Sequence, residues 1–154
     1  MIRVLVSACL MGASCRYDGR SNEREAVLAL LDDPRIQLVP VCPEQLGGLP
    51  TPRIPSECLG DQVINRAGEN VTAQFERGAA QALHLCRLYG CQAALLKEKS
   101  PSCGHGWIYD GSFSHTLVPG NGRTAQLLEA EKIPIFGESQ TQQLERYLAS
   151  VHSL

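Results

Sequence analysis

Short apolar runs alternate with segments of helical periodicity along this chain of 154 residues, and the alternation limits the folds open to it. The apolar runs at 2–6, 36–41 and 92–96 have the length and composition of buried strands. Helical patterns occupy 71–89 and 124–132. Strands that alternate with helices through short connections form a parallel sheet with helices on both faces. The sequence therefore predicts an α/β protein with a Rossmann-like, three-layer fold and a mostly parallel sheet.

The length predicts a single domain over residues 1–154, because typical domains contain about 100–200 residues. No apolar run approaches the roughly 20 residues that span a bilayer, and the N-terminus lacks the pattern of a secretory signal. These features predict a cytoplasmic protein without a membrane partner. The formal net charge of −2 argues against binding to duplex nucleic acid, which requires a basic face. We therefore expect a small-molecule partner, and the sequence leaves the oligomeric state open.

Three of the seven cysteines follow predicted strands, namely Cys9, Cys42 and Cys103. The carboxyl ends of parallel strands meet at one edge of a sheet, so thiols distant in sequence are expected to meet there. In a reducing compartment cysteines more often bind metals or catalyse reactions than form disulfides. Three thiolates would leave one coordination position free for a substrate.

The other four cysteines have different surroundings. Cys86 and Cys91 lie beside apolar residues and are interpreted as small buried hydrophobic side chains. Cys58 belongs to a segment rich in proline and glycine, 43–61, which we interpret as an irregular active-site loop. Cys15 follows small residues that allow it to approach the sheet edge. It is therefore the competing candidate for a ligand position.

The cysteine spacing alone does not identify the metal. Thiolates suit both zinc and iron–sulfur clusters, and the tight C-x-x-C pairs that are typical of structural zinc do not occur. Two alternatives therefore remain beside an iron–sulfur enzyme. One is a zinc-dependent hydrolase that uses the same three cysteines, and the other is a non-catalytic protein that senses metal or oxygen.

Several polar residues are candidates for proton transfer or anion binding. Glu44 lies two positions after Cys42 and is predicted to act as a general acid or base beside the open metal position. Ser100 and Ser102 precede Cys103, and either hydroxyl is placed to orient a water molecule or to hold the turn. The candidates for binding an anionic group are Arg16, Arg53 and Arg123.

Five segments of the chain resemble, in the same order, the motifs of the bacterial thiouracil desulfidase family. They are VSACLMG at 6–12, CRYDG at 15–19, PVCPEQLGGLPTPR at 40–53, VTAQFERGA at 71–79 and LKEKSPSCG at 96–104. The resemblance covers nearly the whole chain, although the part after Gly111 contributes little to it. Five linked motifs are far more specific than any single cysteine.

The resemblance implies a [4Fe–4S] cluster held by Cys9, Cys42 and Cys103, with one open iron that binds the sulfur of a thiolated uracil. It places the catalytic carboxylate on Glu44 and a supporting serine on Ser100. The implied substrates are 2-thiouracil and related nucleosides or nucleotides, including 4-thiouridine monophosphate. The implied reaction replaces sulfur by oxygen, releases sulfide and needs no electron donor.

Overall fold

The structure is a computed structural model, and it describes residues 1–152 of the chain. Within them, the strands are β1 (Ile2–Ser7), β2 (Ile36–Val41), β3 (Ser56–Leu59), β4 (Gln62–Asn65), β5 (Ala93–Leu96), β6 (Trp107–Tyr109), β7 (Leu117–Pro119) and β8 (Ile135–Gly137). The helices are α1 (Glu25–Leu28), α2 (Pro43–Leu46), α3 (Thr72–Leu88), α4 (Arg123–Ala130) and α5 (Thr141–His152).

The central sheet contains four parallel strands in the order β2-β1-β5-β8. This confirms the predicted parallel α/β architecture. Strand β8 lies at one edge of the sheet. Pro134 immediately precedes β8, where its carbonyl accepts a hydrogen bond from the backbone N–H of Ala94 at 2.9 Å. A proline in this position contributes an acceptor without having to supply a donor.

Successive residues of the strands point to opposite faces of the sheet and build two separate apolar cores. Val4 and Val6 of β1 lie in one core, together with residues of α1 and α5. Leu5 lies in the other core, with residues of α3 and α4. The sheet therefore has helices on both sides, which gives the predicted three layers.

Two antiparallel hairpins, β3–β4 and β6–β7, lie outside the central sheet. They meet over a third apolar cluster, formed by Cys58, Val63, Val71, Phe75 and Ile108. The expectation of an irregular loop over 43–61 was wrong in part, because α2 and β3 fall within it. Pro43 occupies the first turn of α2, where its missing N–H is not needed for a helical hydrogen bond.

Glycine brings α2 and α3 into backbone contact. A Cβ atom at Gly78 would lie 1.8 Å from the carbonyl oxygen of Pro43, and one at Gly47 would lie 1.9 Å from that of Gln74. These distances exclude any larger residue without movement of a helix. The contact fixes the segment that follows β2, which carries Cys42 and Glu44.

None of the helices within residues 1–152 is long and apolar enough to cross a membrane.

Candidate functional site

The three cysteines that follow strands lie around one open cavity of about 600 Å³ at the carboxyl edge of the sheet. Cys9 lies in a short 3-10 helix directly after β1, and Cys42 is the first residue after β2. Cys103 lies in the turn that follows β5. The volume is in the range of about 300–1,000 Å³ that is typical of small-molecule sites.

Cys15 lines the same cavity and lies between Cys9 and Cys42. Hydrogen bonding with the Cys15 side chain is the main reason why the pKa of Cys42 falls to about 6 and that of Cys9 to about 7. The Sγ atom of Cys42 also lies 3.8 Å from the backbone carbonyl oxygen of Cys15. The same side-chain hydrogen bonding raises the pKa of Cys15 itself. These shifts favour deprotonation of Cys9 and Cys42 ahead of Cys15.

Cys103 has a different environment from the other cysteines of the cavity. Burial raises the pKa of its thiol to about 12, although hydrogen bonds from Ser7 and Ser102 act in the opposite direction. The charges of Cys9 and Glu44 raise the pKa of Cys103 further, so the three groups act on one another electrostatically. A thiolate at this position needs a compensating positive charge.

Glu44 is held by contacts to both of its carboxylate oxygens. The Nε of Arg53 donates to Oε1 at 2.9 Å, and the hydroxyl of Ser102 donates to Oε2 at 2.7 Å. The side chains of Arg53 and Glu44 are 7% and 15% exposed, so solvent screens their ion pair only weakly. Arg53 also donates to the carbonyl oxygen of Cys15 at 2.8 Å, which ties two segments of the cavity wall together.

Ser100 holds the turn that carries Cys103. Its hydroxyl oxygen accepts hydrogen bonds from the backbone N–H groups of Ser102 and Cys103, at 3.1 and 3.0 Å. It also shares a hydrogen bond of 2.9 Å with the hydroxyl of Ser102. Ser100 is therefore connected to Glu44 through Ser102, whose hydroxyl forms the hydrogen bond to the carboxylate.

The remaining cysteines lie away from the cavity wall. Cys86 is buried in a sheet core, as the sequence predicts, whereas Cys91 packs against that core and is only partly buried. Cys58 belongs to the cluster beneath the two hairpins, where its thiol donates to the carbonyl oxygen of Pro101 at 3.5 Å.

The three candidate arginines have separate positions. Arg16 lines the cavity and pairs with Asp18. Arg53 is engaged with Glu44, as described above. Arg123 donates to the carbonyl oxygen of Gly60 at 2.9 Å and is not among the residues that line the cavity. The fold therefore places Arg16 and Arg53 at the cavity and Arg123 away from it.

A model of the 2-thiouracil desulfurase family matches residues 4–140. The chain belongs to this family.

The chain is similar to two known proteins over most of its length. Among solved structures, the chain is similar to the [4Fe–4S]-dependent thiouracil desulfidase TudS, with 44% identity and a TM-score of 0.90 over 97% of this chain and 99% of that chain. Among curated proteins, it is similar to the uncharacterized protein YbbK of Bacillus subtilis (strain 168). The two are 38% identical over an alignment of 147 positions, which covers 89% of this chain and 96% of YbbK.

The outer part of the cavity is lined by residues for which the sequence predicts no role in a site. They come from the two hairpins and the connection after β4, and they are Glu57, Arg66, Tyr109, Phe113 and His115. The pattern at 107–113 predicts a short irregular or hairpin excursion and gives no indication that this segment lines a cavity. The distance in sequence between these residues and the cysteine motifs explains why motif spacing missed them.

Proposed function

We propose that this chain is a [4Fe–4S]-dependent desulfidase that converts thiolated uracils to the corresponding oxygen compounds and releases sulfide. The main support for this proposal is that Cys9, Cys42 and Cys103 follow three different strands and line one cavity together with Glu44. The family membership and the likeness to TudS support the same reaction.

The donor set fits an iron–sulfur cluster. Cluster iron is held by thiolates, and two of the three cysteines have lowered pKa values that favour this form. The buried thiol of Cys103 would be deprotonated only by a strong positive charge, which a bound cluster iron provides. The residues therefore match the group that the family implies.

The arrangement gives no support to the zinc alternative. Three sulfurs on one zinc ion lie roughly 4 Å apart, because each Zn–S bond is about 2.3 Å long. Among residues 1–152, no group of three or more cysteine, histidine, aspartate or glutamate side chains is arranged to hold a single metal ion. A four-iron cluster attaches each cysteine to a different iron and accommodates wider spacing.

When bound, the cluster supplies an iron with an open coordination position, which acts as a Lewis acid toward the thione sulfur. Glu44 then acts as the general base and removes a proton from the water molecule that attacks the ring carbon. Arg53 and Ser102 orient the carboxylate through the two hydrogen bonds described above. Ser100 maintains the turn that places Ser102 and Cys103.

The reaction balances without electron transfer. One water molecule supplies the oxygen of the new C=O group, and its two hydrogens leave with the sulfur as hydrogen sulfide. The C=S bond breaks and the C=O bond forms, so no atom changes its oxidation state. We therefore propose a non-redox, hydrolytic mechanism.

The proposed substrates are 2-thiouracil and thiolated uracil nucleosides or nucleotides of the 4-thiouridine monophosphate type. The cavity of about 600 Å³ is the space that the cluster and a small planar substrate would share. The free thiols and their proposed role in binding an oxidation-sensitive cluster support a cytoplasmic location.

The deciding experiment is anaerobic reconstitution followed by iron and sulfide analysis and turnover of 2-thiouracil. We expect about four irons per chain and a decrease in the thione absorbance with release of sulfide. A protein that contains zinc in place of iron would overturn the cofactor assignment. A protein that holds the cluster without turning over either 2-thiouracil or 4-thiouridine monophosphate would favour the sensing alternative.

A further inference from the structure

We infer that Phe113 is the surface on which the planar ring of the substrate stacks, and that Glu57 is the positioning residue that holds this surface in place. The inference rests on the proposed function, because it names the specificity element of the same cavity. Phe113, Glu57 and the cysteines all line that cavity.

The loop that carries Phe113 joins β6 to β7 and has an unusual backbone. Phe113 and His115 have φ values of 57° and 59°, in the left-handed region that side chains other than glycine rarely adopt. Such conformations persist only where surrounding contacts impose them, and they are concentrated in ligand-binding segments. The loop therefore needs an anchor.

Glu57 provides this anchor from β3. Its Oε1 atom accepts hydrogen bonds from the backbone N–H groups of Gly111 and Phe113, at 3.0 and 3.1 Å. Glu57 as a residue is only 9% exposed, so water competes weakly for these hydrogen bonds. The side chain of Asp110 adds a second constraint by accepting from the backbone N–H of Ser112 at 2.9 Å.

The anchored loop presents aromatic side chains to the cavity. The guanidinium of Arg66 lies over the Phe113 ring, 5.5 Å from its centroid, and both side chains line the cavity. For this role, a planar ligand must stack on the ring face opposite Arg66. Tyr109 and His115 form an edge-to-face pair at 5.8 Å beside it, so the outer wall is largely aromatic.

A pyrimidine ring suits this wall because bases stack on aromatic side chains, an interaction typically worth about 1–3 kcal/mol per base. Stacking contributes equally to substrate and transition state, since it acts on the ring plane and not on the reacting bond. Its loss therefore raises KM and leaves kcat nearly unchanged.

The test compares Phe113→Ala with Trp107→Ala in the iron-loaded enzyme. Trp107 is an aromatic residue of the same hairpin, 54% exposed and not part of the cavity wall. We expect Phe113→Ala to raise KM for 2-thiouracil roughly five- to hundredfold, with kcat within threefold of the wild type. We expect Trp107→Ala to change neither constant, and Phe113→Tyr to restore KM.

Glu57 is tested by a conservative and a disruptive change. Glu57→Gln keeps one oxygen that accepts both N–H groups, so we expect KM within about threefold of the wild type. Glu57→Ala removes the acceptor, so we expect KM to rise as in Phe113→Ala and hydrogen exchange over residues 110–116 to accelerate. An unchanged KM in both Phe113→Ala and Glu57→Ala would overturn the inference.

Binding of uracil to the iron-loaded protein, measured by titration calorimetry, separates this inference from the proposed function. If the wild type does not turn over thiouracil but Phe113→Ala still weakens uracil binding at least fivefold, the stacking role of Phe113 is supported and the proposed reaction is wrong. If the wild type turns over thiouracil and uracil binds to Phe113→Ala as tightly as to the wild type, the proposed reaction is supported and the stacking role of Phe113 is wrong. If the wild type neither turns over thiouracil nor binds uracil, both are wrong.

Discussion

Replacement of Glu44 by glutamine separates the chemical role of this residue from its structural role. The carboxylate accepts from Arg53 at 2.9 Å and from Ser102 at 2.7 Å. Glutamine retains an oxygen for Arg53, and the Ser102 hydroxyl can rotate to accept from the new amide. The substitution thus exchanges charge-assisted hydrogen bonds for neutral ones, with a cost of about 1–2 kcal/mol. For a chain of this length this corresponds to a decrease in Tm of roughly 2–8 °C.

The effect on turnover is expected to be far larger than the effect on stability. A glutamine cannot accept the proton of the attacking water, and loss of a general base typically lowers the rate by about 10²–10⁴-fold. The assay follows the thione absorbance of 2-thiouracil anaerobically, with rates expressed per iron-loaded chain. The thermal unfolding of the same preparations, followed by circular dichroism, gives the change in stability.

Ser102→Ala is the matched control for Glu44→Gln. It removes one hydrogen bond to the carboxylate and leaves the negative charge and the contact with Arg53 in place. We expect a similar loss of stability, about 1–2 kcal/mol, and a decrease in turnover of less than about tenfold. A Glu44→Gln enzyme with full iron content and more than a tenth of the wild-type rate would refute the role of Glu44 as the base.

Three further perturbations follow from the geometry. Replacement of Cys9, Cys42 or Cys103 by serine should abolish the absorbance and the iron content of the reconstituted cluster. Cys15→Ala, in contrast, should retain about four irons per chain. Loss of iron in Cys15→Ala would show that Cys15 is a ligand. The pKa of Cys42 is lowered to about 6, mainly by hydrogen bonding with the Cys15 side chain, so its thiolate is present above pH 6 and is lost as the pH falls below that value. Alkylation of Cys42 in the cluster-free chain, followed by mass spectrometry, should therefore have its midpoint near pH 6, and a midpoint near the ordinary value of 9.0 would contradict the assigned contact. Gly78→Ala places a methyl group against the Pro43 carbonyl and should destabilise the fold by about 1–3 kcal/mol, seen as a lower Tm; an unchanged Tm would show that α2 and α3 separate freely.

The main strands of the sheet were predictable because their signals are local. The apolar runs at 2–6 and 36–41 coincide with β1 and β2, and the helical pattern at 71–89 coincides with α3. Each signal depends on the side-chain period of one segment, which is 2 for a strand and 3.6 for a helix. The short helix α2 was missed because prolines were read only as breakers of structure, although a proline at the first helical position is favourable.

The candidate site was predictable only in part. The placement of Cys9, Cys42 and Cys103 around one cavity follows from the parallel topology, since strand ends meet at one edge. The contact of Ser102 with Glu44 spans 58 positions, and that of Glu57 with Gly111 spans 54. No periodicity or motif spacing relates residues so far apart.

The sequence by itself determined where strands end and which chemical groups follow them, because these properties depend on neighbouring residues. Only the tertiary structure decided that Arg53 pairs with Glu44, that Cys15 joins Cys9 and Cys42 at one cavity, and that a distant hairpin supplies an aromatic wall. These relations depend on how helices and hairpins pack across the sheet edge. Packing is a property of the whole chain, because each contact requires several elements to be in place at once.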